Sequence, residues 1–138
     1  MRALFAAQPF MHTFRAVVTR IHDGEVELTA PCSAELSQQT GAMHAGAIAA
    51  LMDTACALAA ATRARDDRTV VSVEFKLNLL APAVGDEVRA VGRVVRAGRT
   101  LTVCSGDLWA RTGGHDVHVA VMQATMMAVS APPGPLSA

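Results

Sequence analysis

The chain has 138 residues, 51% of them hydrophobic and 17% charged, and its 12 basic and 12 acidic side chains cancel to a formal net charge of zero. That length fits one domain able to bury about two thirds of its unfolded surface, and the apolar balance excludes a disordered chain. Neutral charge, the lack of tyrosine and a single Trp109 exclude the basic footprint and stacking platforms of a nucleic-acid binder, while so much apolar surface on so short a chain predicts a homo-oligomer.

The apolar stretch before Pro9 is too short, and lacks the small-residue cleavage site, for a signal peptide. Cys32, Cys56 and Cys104 are odd in number and unpaired in spacing, so they read as reduced, buried thiols of a cytoplasmic protein. Residues 14–21 are rich in β-branched side chains and residues 25–29 alternate, which predicts two strands joined by a tight hairpin at Asp23-Gly24. The polar segment Pro31 to Met43 reads as a loop. From Ala45 to Ala61 only Gly46, Asp53 and Thr54 interrupt an apolar, alanine-rich run, which predicts a helix enclosed on nearly every side. It is too short and too weakly apolar to span a bilayer.

After the charged link Arg63 to Arg68, alternation places Val71, Val73, Phe75, Leu77 and Leu79 on one buried face of a strand, with Ser72, Glu74, Lys76 and Asn78 on the other. Turn residues at Pro82 and Gly85-Asp86, Ala97-Gly98 and Gly113-Gly114 then separate three more strands, Glu87 to Arg96, Thr100 to Ala110 and Val117 to Ser130. Residues 1–130 make one domain, and the Pro- and Gly-containing residues 131–138 read as a flexible tail. The order predicts an α+β fold in which an antiparallel sheet wraps around one long central helix, the hotdog fold. A helix on a flat sheet satisfies the periodicity nearly as well.

Asp53 is the one charge of the predicted helix, and an enclosed lone carboxylate costs several kcal/mol unless it is partnered. Either the helix has a wet edge there, as neighbouring Thr54 suggests, or the carboxylate does chemistry. Gly46 lies seven residues earlier, about two turns, on the same face. The free backbone N–H groups of Ala45 and Gly46 at the helix start suit a developing oxyanion. His44, just before them, reads ordinarily as a capping or packing residue and alternatively as a catalytic one. Gln38 and Ser72 can position a water or a carbonyl, or simply face solvent. Arg96 and Arg99 flank a turn and can meet a phosphate. No histidine spacing suggests a metal site: His115 and His118 fall on opposite faces of a strand, and His12 and His22 have no evident partner.

The stretches GAMHAGAIAALMDTACALAA (41–60) and VVSVEFKLNLLAPAVGDEVRAVGRVVRAGRTL (70–101) resemble the phenylacetate-pathway, PaaI-like group of hotdog acyl-CoA thioesterases. Members carry a G-x-x-H-G-G-x-x-x-x-L-x-D core, an S-V-[DE] strand and a P-x-x-x-G-[DE] turn in that order. The resemblance implies acyl-CoA hydrolysis without metal or cofactor, with Asp53 as general base or nucleophile and Ala45 as backbone donor to the thioester carbonyl. It further implies that His44 assists orientation or the leaving thiolate, that Gln38 stands where relatives often have Asn, and that Ser72 orients water or carboxylate. It implies a dimer or a tetramer of paired dimers with the site at the subunit boundary. Ala45 departs from the family's first glycine, and Gln38 from its shorter Asn. Two other readings compete: an acyl-CoA-binding module without turnover, and a hotdog dehydratase, whose His and acidic setting is missing here.

Overall fold

A computed structural model describes residues 1–130; the expected tail, 131–138, lies outside the described residues. Two five-residue helices, α1 (Arg2–Ala6) and α2 (Pro9–Thr13), open the chain. The sequence pattern did not announce them, since so short a helix offers too few turns for periodicity to register. They take Phe14 out of the expected first strand, which runs as β1 (Val17–His22) and pairs through the Asp23-Gly24 turn with β2 (Glu25–Pro31). Gly24 sits at φ +76°, a conformation that side chains disfavour.

α3 spans Ala45–Ala61, the predicted limits, and carries the chain from β2 to the far edge of the sheet. There β3 (Arg68–Leu79) begins, followed by β4 (Glu87–Ala97), β5 (Leu101–Thr112) and β6 (His115–Ser130). The strands form one six-stranded sheet in the order β1-β2-β4-β5-β6-β3, antiparallel throughout. The core lies between α3 and the sheet's inner face, where Leu28, Leu51, Met52, Leu58, Leu108 and Met126 are fully buried.

Two strand glycines set how close the helix comes. Gly92 of β4 pairs with Gly106 of β5, and a Cβ on Gly92 would stand 2.3 Å from the Ala55 carbonyl carbon and 2.5 Å from the Cys56 nitrogen. α3 therefore rests its backbone directly on β4. Cys56 and Cys104 pack at this contact: Cys104 Sγ donates to Cys56 O at 3.6 Å, and Cys56 Sγ to Ser105 O at 3.5 Å. Burial pushes the Cys104 thiol up to about 11 and that of Cys56 higher still, so both stay protonated donors at neutral pH. Cys32, expected to be buried, is only half-buried.

Two expectations need correction. The enclosure expected for α3 is one-sided: the sheet covers one side, while Ala50, Asp53 and Ala57 stay partly exposed. The face expected to be buried on β3 is not, because Val71, Val73, Phe75 and Leu79 are all 40% exposed or more on this edge strand. A bulge between Ser72 and Glu74 also reverses the alternation: Ser72 pairs with buried Met126 and Phe75 with buried Ala124, so the two share the helix-side face.

Gly92→Ala should destabilise the fold by about 3 kcal/mol, the upper range for overpacking, because backbone on both sides cannot yield as a side chain would. Thermal unfolding should show a midpoint lowered by roughly 10 °C; an unchanged midpoint would contradict the close contact.

Candidate functional site

The open side of α3 carries Gly46, Ala50, Asp53 and Ala57, spaced four, three and four residues apart, so they form one stripe with Asp53 as its charge. Thr54, one position on, turns the other way and is buried. The Ser72 hydroxyl donates a 2.7 Å hydrogen bond to Asp53 Oδ1. Oδ2 has no protein partner among the described residues. The β3 bulge is what makes this contact possible, since without it Ser72 could not share the helix-side face with Phe75.

His44 is the N-cap of α3. Its backbone N–H donates to Leu36 O at 2.8 Å, and its carbonyl accepts from Ala47 and Ile48. Its ring Nδ1 accepts from the Gly46 N–H at 2.9 Å. The ordinary reading of His44 as a cap is therefore correct as far as Nδ1 is concerned. Acceptance at Nδ1 puts the proton of the neutral ring on Nε2, in an exposed side chain. The Gly46 N–H is consequently occupied, and the first-turn N–H left without an acceptor among the described residues is that of Ala45. Gly46 lets the ring fold back, as a Cβ there would lie 3.2 Å from Nδ1.

Gln38 and Ala45 line a common cavity of about 460 Å³ with Ile48, Leu79 and Pro82. A tight turn holds the glutamine backbone: its N–H donates to Ala42 O, and its carbonyl accepts from Gly41, at φ +83°. Ala45, His44 and Gln38 thus lie at the helix start, and Asp53 with Ser72 lies farther along. Eight residues separate Ala45 from Asp53, about 12 Å of helix rise, too far for both to act on one carbonyl carbon.

Past Asp53, toward the C-terminal end of α3, Arg63, Arg65, Arg68 and Arg99 line a cavity of about 510 Å³. Arg63 pairs with Asp23 and Arg65 with Asp67, whereas Arg68 and Arg99 have no carboxylate partner among the described residues. Arg96 is exposed and does not line this cavity. In the sequence Arg63, Arg65 and Arg68 read only as a charged link, because nothing local brings them beside the β4–β5 turn. His118 Nε2–H donates to Asp107 Oδ1 at 3.0 Å on the outer sheet face, where its ring stacks on Trp109.

An antiparallel sheet wrapped around one long helix is the hotdog architecture. The sequence profile of the thioesterase superfamily matches residues 40–116, and a thioesterase family protein from Silicibacter pomeroyi is 39% identical, covering 94% of this chain and 96% of its own, with a TM-score of 0.93. The chain belongs to the thioesterase superfamily. The E. coli PaaI protein from the phenylacetic acid degradation operon shares its fold at 18% identity, covering 93% of this chain and 89% of its own, with a TM-score of 0.84. A Bacillus halodurans protein solved with CoA shares the fold at 23% identity, covering 75% of this chain and 66% of its own, with a TM-score of 0.70. No curated protein matches the chain. No described helix is long and apolar enough to cross a membrane.

Replacing His44 by Ala uncaps α3 and should cost about 1 kcal/mol, the usual worth of an N-cap. Thermal unfolding checks this; a midpoint within error of the parent would mean that the 2.9 Å bond to Gly46 contributes nothing to stability.

Proposed function

We propose that the protein hydrolyses acyl-CoA thioesters to a free acid and CoA, at a site that two copies of the chain complete together. The observation that carries this reading is the Asp53 carboxylate, held at one oxygen by Ser72 and open at the other, about 12 Å along the same helix from the unoccupied Ala45 N–H. A second copy, packed against the open stripe of α3 and the unpaired edge of β3, brings its own Asp53 to this chain's Ala45. The exposed Val71, Val73, Phe75 and Leu79 on that edge support such a partner, since exposed apolar edges otherwise invite uncontrolled pairing. A dimer suffices for the chemistry, and a tetramer of two dimers keeps the same pair.

The Ala45 N–H, backed by the α3 dipole, donates to the thioester carbonyl as it becomes an oxyanion. Asp53 then takes a proton from the water that attacks the carbonyl carbon, or attacks it directly to give an anhydride that water cleaves. In both routes the C–S bond breaks and the CoA thiolate leaves, with the Nε2–H of His44 available to it. Ser72 fixes which carboxylate oxygen faces the substrate, and Gln38 stands by the carbonyl in the shared cavity. The unpaired Arg68 and Arg99 take the CoA phosphates, consistent with the CoA held by the Bacillus halodurans relative. Free cysteines agree with a reducing, cytoplasmic setting.

Asp53→Asn keeps the size and most hydrogen bonding of the carboxylate but can neither take a proton nor attack. Turnover should fall at least about a hundredfold while stability holds or rises, and light scattering should give at least twice the chain mass for both proteins. Near-normal turnover would remove Asp53 from catalysis and leave a binding module; a monomer mass would remove the shared site. For the double variant Arg68→Ala/Arg99→Ala, the Michaelis constant for acyl-CoA should rise about tenfold, in line with losing one charge-assisted phosphate contact or more. Hydrolysis of an acyl-N-acetylcysteamine, which lacks the nucleotide, should be unaffected; equal losses on both substrates would refute the phosphate role.

A further inference from the structure

A second cavity abuts the start of α3, on the side away from the one shared by Ala45 and Gln38. Phe10, Phe14, Leu36 and Ala47 supply its apolar walls, Glu35 and His44 stand among its polar ones, and its volume is about 260 Å³. α2 forms the outer wall. Phe14 is buried and anchors that helix, and Phe10 meets its ring edge-to-face with centroids 5.0 Å apart. Phe10 itself is 61% exposed, which folding alone gives no reason to prefer for so large an apolar side chain.

The two cavities differ in what walls them. The one at Ala45 ends on Leu79 and the loop after it, along the β3 edge where a second copy is to pack. The one at His44 and Gly46 is walled by α2, the short 3-10 turn Ala34–Leu36 and the first turn of α3. A thioester carbonyl at the Ala45 N–H has its sulfur on one side and its acyl carbon on the other, so the acyl group leaves the carbonyl opposite the CoA arm.

Resting on the thioesterase reading, we infer that the cavity under α2 holds the acyl group, that this group is a compact apolar one, and that Phe10 determines selectivity for it. The size supports this: an apolar cavity of about 150 Å³ accommodates benzene, so 260 Å³ holds one ring or a short chain and leaves a long fatty tail in water. The wall residues Phe10, Phe14 and Leu36 all lie before residue 40, where the superfamily profile begins. His44 and Ala47 complete the wall from within the matched region, so the segment ahead of it and the start of α3 shape the cavity together.

The test compares acetyl-CoA with hexanoyl-CoA on the full chain, reading thiol release. The parent should favour hexanoyl-CoA, and Phe10→Ala should cut the hexanoyl-to-acetyl ratio of kcat/KM about tenfold, as expected for losing apolar contact in a pocket. Phe10→Leu, which returns apolar contact, should recover most of the ratio. A residue that merely supports the fold would lower both substrates alike, so an unchanged ratio in Phe10→Ala overturns the inference. If the parent hydrolyses neither thioester, the hydrolase reading fails, and the inference is judged by calorimetric affinity for the same two compounds. A ratio of affinities that drops about tenfold in Phe10→Ala then supports it, and an unchanged ratio overturns it.

Discussion

The rest of this structure depends on the contact between the backbone of α3 at Ala55 and Cys56 and the glycine pair Gly92 and Gly106. With no side chain between helix and β4, the helix sinks onto the sheet, and its rotation about its own axis is fixed. That rotation buries Ile48, Leu51, Met52, Ala55, Cys56 and Leu58 and turns Gly46, Ala50, Asp53 and Ala57 outward. Any residue larger than glycine at position 92 would lift the helix. The carboxylate would then lose its registry with Ser72.

The same rotation explains why an alanine-rich helix can carry a carboxylate. Asp53 is not sealed in the core, so it avoids the several kcal/mol that a lone buried charge costs. Its one protein partner among the described residues comes from an edge strand whose bulge at Val73 points Ser72 inward. The helix start is prepared separately: the His44 ring occupies one first-turn N–H and leaves that of Ala45 open. Along one chain the Ala45 N–H and the Asp53 carboxylate stand about 12 Å apart on the same helix.

The outer face of the sheet is built on a different principle. Arg93 bridges Glu25 and Asp107, and Arg89 bridges Glu27 and Asp116 while lying 4.3 Å from the Trp109 ring centroid. These half-exposed pairs contribute little each. They do leave the face polar and its charges matched, in contrast to the apolar edge of β3 and the open stripe of α3.

The sequence by itself determined the elements whose signal is local. The limits of α3, the hairpin at Asp23-Gly24, the four later strands and the oddity of Asp53 all follow from side-chain periodicity and turn chemistry within a few residues. So did the likeness to hotdog thioesterases, because its three motifs are short and ordered. Tertiary structure decided the rest. Which face of β3 Ser72 occupies depended on a one-residue bulge, and alternation cannot reveal a bulge before the partner strand β6 is known. Gly92 and Gly106 lie inside ordinary strand patterns, and only the folded chain brings the backbone of α3, dozens of residues away in sequence, against them. Arg63, Arg65 and Arg68 became a cavity wall only when the sheet order set β3 near the β4–β5 turn, and α2 became the wall of a pocket only by packing at the start of α3. Local propensity is written along the chain, whereas registry, rotation and enclosure arise from contacts between segments that are distant in it.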